Sequence, residues 1–311
     1  MLANFLEKSK PINFTIYFGL FFCCFLIVIF SSLFDHQTSW PNVFKSVFLF
    51  FLFVAIFFFY HFVVSKNKLT LDNSFGFFLF TLALILFLPN LIAVKTLFLL
   101  LTHLFFLRKI YSLKSSKKVI KKLFDSGFWL GMLCLIAPNS ILFVALLYTA
   151  ILLHQKITFH TLITPVIGFI SPLIIYGTYL FWQQESFSYT FFETVNFEGF
   201  NNMYFYSKGY HLWLTTTILL LTFGCLIIKT PKALSVNNSF KMSWLLLIVN
   251  LVVAILFALT EVEKNGSEIV FLTIPATIII ANGLEVFKNR IIKNILFSLL
   301  LVGTFITFFW L

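Results

Sequence analysis

The chain has 311 residues; 60 % are hydrophobic, 11 % are charged, and Lys and Arg outnumber Asp and Glu by 22 to 11. Soluble domains carry about 25 % charged residues, so this composition excludes an ordinary water-soluble globule and calls for lipid as solvent. The 46 phenylalanines read as compositional drift rather than as a dedicated aromatic function.

Lys8 and Lys10 precede the apolar run Ile12 to Phe34, which is too long for a signal-peptide core and reads as a retained first transmembrane helix. Ten further apolar segments follow, at 43–64, 75–89, 91–107, 123–137, 140–154, 161–181, 212–228, 245–260, 269–283 and 295–311. With the N-terminus in the cytoplasm and sides alternating, every cation except Lys45, Lys95, Lys208 and Lys264 falls in an inner loop, 18 of the 22. Cations concentrate on the cytoplasmic side of membrane proteins, so the expected location is a bacterial inner membrane with the C-terminus periplasmic. Residues 1-311 then form a single transmembrane domain.

Segments 75–89 and 91–107 meet at Pro89-Asn90, and 123–137 and 140–154 meet at Pro138-Asn139. Arms of ~15 residues measure roughly 22 Å against a hydrocarbon core of about 30 Å, so each hairpin either spans as a short pair or re-enters on its own side. Two such hairpins suggest a repeated helical unit. Between them, 108–124 carries seven cations interleaved with Ile110, Leu113, Val119, Ile120 and Leu123. That pattern predicts a basic amphipathic helix on the cytoplasmic surface, its lysines among anionic lipids. Asp125 is expected in the first turn of the next short helix.

The predicted outer face gathers the candidate chemistry. The first outer loop runs from Asp35 to Asn42, with Lys45 one turn into the following helix. Lys95 lies five residues past the Pro89-Asn90 tip, or about 7 Å deep by helix rise. Asn90 and Asn139 mark the two hairpin tips, and the last outer loop contributes Glu261, Glu263 and Glu268 around an Asn-Gly turn. A lysine just inside the membrane plane opposite a carboxylate is equipped to hold a lipid phosphate while the acid acts as a base. The alternative is that Lys45 and Lys95 snorkel to the interface and the carboxylates are solvated.

The loop 182–211 is rich in Phe and Tyr, which suits either an interfacial periplasmic segment or a lid whose rings stack on sugar or acyl chain. Four cysteines (Cys23, Cys24, Cys134, Cys225) lie in apolar runs without a CxxC pair, and the six histidines lack ligand spacing, so no metal site is expected. Asn250, in mid-helix, is expected to make an interhelical hydrogen bond. The absence of a Walker A loop or GxGxxG motif argues against a nucleotide-driven pump, and no nucleic-acid partner is implied.

Two stretches resemble a known scaffold. Phe128-Trp-Leu-Gly-Met-Leu-Cys-Leu-Ile-Ala-Pro138-Asn139, and Phe271-Leu-Thr-Ile-Pro275-Ala-Thr-Ile-Ile-Ile-Ala-Asn-Gly283, resemble the middle hairpin and the late helix of polyprenyl-phosphate-dependent glycosyltransferases of the C superfamily. That resemblance implies a bound lipid or polyprenyl phosphate. In the first outer loop, about eight residues long where family members usually place helices and an acidic pair, only Asp35 remains as candidate base, with Lys45 and Lys95 as the lysines read above for the phosphate. The chain departs from the scaffold at Glu268, where the superfamily often carries a phosphate-binding Arg or His. A longer resemblance starts at Ser9-Lys10-Pro11-Ile12-Asn13-Phe14 and includes Leu113 to Phe124, Asp125 and Phe128-Trp129. It is to an uncharacterised family of Bacteroidota inner-membrane proteins, which implies location and not chemistry.

The expected fold is an all-α polytopic membrane helix bundle of about eleven transmembrane or re-entrant helices. Three functions fit it. The first is a non-catalytic subunit of a cell-envelope complex for secretion or surface assembly, with other membrane or envelope proteins as partners. The second is a periplasm-facing lipid-linked sugar transferase. A transporter is third, disfavoured because charge within the apolar segments is scarce.

Overall fold

The computed structural model describes residues 2–35, 40–183, 209–261 and 268–310. Among them it contains thirteen α-helices and no strand. These are α1 (Leu2–Leu6), α2 (Pro11–Asp35), α3 (Trp40–Asn67), α4 (Phe75–Leu86), α5 (Leu88–Leu91), α6 (Val94–Ser112) and α7 (Val119–Ile136). A 3-10 turn at Pro138–Leu142 leads into α8 (Phe143–Leu153). The chain continues through α9 (Phe159–Trp182), α10 (Gly209–Ser235), α11 (Asn238–Thr260), α12 (Ile269–Leu284) and α13 (Arg290–Trp310). Each of the eleven predicted apolar segments carries a helix, and the fold is an all-α polytopic bundle. Six helices (α2, α3, α9, α10, α11 and α13) are long and apolar enough to cross a membrane.

The chain clusters into two compact units, and the divisions fall inside α6 and α12 and at the two ends of α10. The first unit comprises Met1–Leu97, Tyr210–Leu234 and Thr273–Leu311. Its centre is α4, in which every residue from Phe75 to Ile85 is buried. At 12 residues this helix is only about 18 Å long, so burial within protein rather than passage through lipid accommodates it. Phenylalanine builds the surroundings. Phe14 of α2 stacks on Phe77 at 4.7 Å, Tyr60 of α3 lies parallel to Phe80 at 3.8 Å, and Phe297 of α13 meets Phe75 at 5.0 Å. Rings at these separations gain about 0.5–1.5 kcal/mol per pair beyond their burial. Part of the phenylalanine excess is therefore used as core, while others, such as Phe44 and Phe181, are exposed.

The second unit comprises Phe98–Gly209 and Ser235–Leu272. Its most intimate contact is α7 against α9. Gly127, Gly131 and Gly168 face backbone across this crossing: a Cβ on Gly127 would run into the Pro165 carbonyl, and one on Gly168 into the Phe124 carbonyl. Small residues four apart let two helices approach at backbone distance, the packing that membrane helices favour because lipid gives them no hydrophobic incentive to associate. On the opposite flank α11 packs against α8 and the 3-10 turn. The expected hydrogen bond at Asn250 is present, its Nδ2 donating to the Tyr111 hydroxyl at 3.2 Å.

The segment 108–124 differs from the single amphipathic helix expected of it. α6 continues to Ser112, the chain turns through 113–118, and α7 starts at Val119. Lys118, at φ 53°, supplies the left-handed residue that breaks the helix, a conformation that costs a non-glycine residue about 1–2 kcal/mol. Because α7 begins at Val119, Asp125 falls in its second turn rather than its first. The predicted aromatic loop 182–211 lies for the most part outside the described residues.

Candidate functional site

The predicted site residues divide between the units. Asp35, Lys45, Asn90 and Lys95 belong to the first, and Asn139, Glu261 and Glu268 to the second. Asp35 is the last residue of α2, Asn90 lies half-buried in the short α5, and Lys45 and Lys95 are exposed near the starts of α3 and α6. Neither lysine makes a hydrogen bond or ion pair among the described residues. Glu263 lies outside the described residues.

Asn139 is brought beside Thr260, the residue before Glu261. The 3-10 turn buries Asn139, whose Nδ2 donates to the Thr260 carbonyl at 3.3 Å. Ser140, Thr260 and Glu268 are buried as well. One helical turn deeper sit three rings: Phe143 three residues after Ser140, Phe257 three before Thr260, and Phe271 three after Glu268. Their centroids are 4.4 Å apart for Phe257–Phe271, 5.5 Å for Phe143–Phe271 and 6.0 Å for Phe143–Phe257. α11 runs toward this end while α8 and α12 run away from it, so these i±3 spacings set a polar layer above an aromatic one. His103 of α6 packs 4.7 Å from both Phe143 and Phe271. Its two ring nitrogens, with Asn139 Oδ1 and Ser140 Oγ, are buried without hydrogen-bond partners among the described residues.

The strongest polar site of the first unit was not anticipated. Glu285, just past α12, accepts three hydrogen bonds from two separate segments. The Leu71 N–H and Asn73 Nδ2 each donate to Oε1 at 2.8 Å, and Lys229 Nζ donates to Oε2 at 2.9 Å. Beside it Asn282 Nδ2 donates to the Leu69 carbonyl at 2.8 Å. Farther along, Asn13 Nδ2 donates to Ser74 Oγ at 3.0 Å, and Lys293 reaches Glu7 at 3.3 Å. The available sequence signal was a single charge at the edge of each of two apolar runs, Lys229 and Glu285, with nothing local to pair them.

The 112–122 turn carries the densest charge. Lys122 Nζ donates to the carbonyls of Ser112 at 2.5 Å and Ser115 at 3.0 Å, and Lys156, from the turn after α8, donates to Ser116 Oγ at 2.8 Å. Lys109 pairs with Asp125 at 2.6 Å. Burial, and then the neighbouring charges of Lys109 and Lys156, draw the Lys122 ammonium below its ordinary range. Burial followed by Lys156, Lys114 and Lys122 does the same to the His154 imidazole.

Long apolar helices, a buried half-length helix and polar groups gathered at helix ends together define a multi-pass α-helical membrane protein. The chain belongs to the family of unknown function DUF6427, whose profile matches residues 1–311. No curated protein and no solved structure matches it.

Proposed function

We propose that the protein is a non-catalytic membrane subunit of a cell-envelope complex, seated in a bacterial inner membrane with its N-terminus cytoplasmic and its C-terminus periplasmic. The observation that carries this reading is the use made of its carboxylates. Glu285 is committed to three donors from two segments, Glu7 to Lys293 and Asp125 to Lys109. Groups so engaged hold helices together and are poor bases, since a base needs a free lone pair aimed at its proton. The cation distribution supports this orientation. Purification in mild detergent with mass spectrometry of co-purifying chains is the test. A stoichiometric envelope partner is expected, whereas sugar transfer from a polyprenyl-phosphate donor by the chain alone would overturn the reading.

A second reading, a periplasm-facing lipid-linked sugar transferase, draws on the buried layer of Asn139, Ser140, Thr260 and Glu268. A buried carboxylate in such a layer is a candidate acid or base. In that case Asp35→Asn or Glu268→Gln abolishes transfer, and Lys45→Gln with Lys95→Gln weakens donor binding.

A further inference from the structure

A topological signal needs only a count of lysines, which acts during insertion whatever the loop's final shape. The turn between α6 and α7 is more than a count. Lys122 pins its two sides through the Ser112 and Ser115 carbonyls, and Lys156 arrives from the α8–α9 turn to bond Ser116. Folding thus draws like charges from two separate loops toward one another. Lys122 feels Lys109 and Lys156, while His154 feels Lys156, Lys114 and Lys122. Asp125, the carboxylate in contact with the group, is held by Lys109. On the same turn Lys117, Lys118 and Lys121 are exposed. Concentrating like charge is unfavourable unless an anion offsets it.

The place selects the anion. The turn joins the ends of two apolar helices, which carry paired rings, Phe105 and Trp129 at 4.5 Å, two to three helical turns farther in, so the lysines sit where apolar helix ends meet headgroups. We propose that the Leu113–Lys118 turn, with Lys121, Lys122 and Lys156, binds the phosphate of acidic phospholipid headgroups. Lys122 and Lys156 shape the turn, and Lys117, Lys118 and Lys121 meet the phosphates. Lysine suits this task as a compact, strongly hydrated point charge that tolerates variable headgroup geometry.

The test uses the full-length chain purified in mild detergent and incubated with an equal mixture of phosphatidylglycerol and phosphatidylethanolamine. Lipid retained after washing is counted by native mass spectrometry. Phosphatidylglycerol should be retained selectively, and the preference should fall as salt rises. Each exposed lysine removed should cost roughly fivefold, so K117Q/K118Q/K121Q should lose on the order of a hundredfold. K117R/K118R/K121R should retain the lipid, which separates charge from folding, and K121Q alone should show the single fivefold step. Equal retention by wild type and the triple Gln variant overturns the proposal. So does loss on K45Q/K95Q instead, which would move the phosphate site to the first unit. Displacement by millimolar inorganic phosphate would also overturn it, by identifying a free-anion site.

Discussion

Lys229 Nζ lies 2.9 Å from Glu285 Oε2, with the two side chains 11 % and 3 % exposed, and the same carboxylate holds the α3–α4 connection through Leu71 and Asn73. Removing one partner of a buried pair leaves an uncompensated charge, at about 3–5 kcal/mol. Glu285→Ala, which also orphans the Leu71 and Asn73 donors, is expected at the upper end of that range. Glu285→Gln keeps an acceptor and should cost less. Detergent-titration unfolding of the two variants checks the order; equal stability of Glu285→Ala and wild type would show that Glu285 does not hold the α3–α4 connection.

The α7–α9 crossing should tolerate nothing larger than glycine. Gly127→Ala and Gly168→Ala each drive a methyl into a backbone carbonyl that has no side-chain freedom to move aside, so each should destabilise by about 1–3 kcal/mol. Gly224→Ala, where nothing lies within 4 Å, serves as the control and should be neutral or slightly stabilising. Thermal unfolding followed by tryptophan fluorescence distinguishes the sites.

α3 and α8 both end on a left-handed residue other than glycine, Lys68 at φ 51° and Gln155 at φ 52°. In each case the next N–H turns back into the helix, Leu69 to the Val64 carbonyl at 3.1 Å and Lys156 to the Ile151 carbonyl at 3.0 Å, as in a Schellman motif. Glycine adopts this conformation without steric penalty, so Gln155→Gly should stabilise the protein by about 0.5–1 kcal/mol after its greater unfolded-state entropy is counted. A rise in the unfolding midpoint is the readout.

His154 predicts an acid response. Burial and three neighbouring lysines hold its folded pKa below the ordinary 6.5, so the unfolded chain takes up the proton first. The stability contributed by neutral His154 is present above pH 6.5 and is lost progressively as pH falls below it toward the folded value. Stability profiles from pH 7.5 to 5 should therefore decline for wild type and decline less steeply for His154→Gln. Coincident profiles for the two proteins would exclude His154 as the cause.

The apolar periodicity, the Pro-Asn breaks and the mid-helix Asn250 were legible because each is a local signal: a run, a turn or a lone polar residue with one way to be satisfied. Glu285 was not. Its donors lie at Leu71, Asn73 and Lys229, and only the packing of α3, α4, α10 and α12 brings them to one carboxylate. The segment 108–124 was misread for a related reason. Its hydrophobic spacing continues through the turn, whereas the break at Lys118 is stabilised by Lys122 and by Lys156 from another loop. In the second unit, Asn139 and Glu268, assigned from the sequence to the outer face, are both buried. Burial depends on α8, α11 and α12 converging, which no single segment announces.

The short, wholly enclosed α4 constrains how the molecule is made. α2 and α3 touch it from one side and exist before it leaves the ribosome, but α12 and α13 are also needed. Tyr60 bridges the Gly76 carbonyl and Thr277 of α12, and Phe297 of α13 seals Phe75 and Phe78. Those residues are translated last. A twelve-residue helix cannot wait in lipid as a stable span of its own, so it must be sheltered by insertion machinery or a partner until the chain's end arrives. Biogenesis therefore closes the first unit only after the second has been synthesised, and loss of the final helix should leave a nascent protein recognised by membrane quality control.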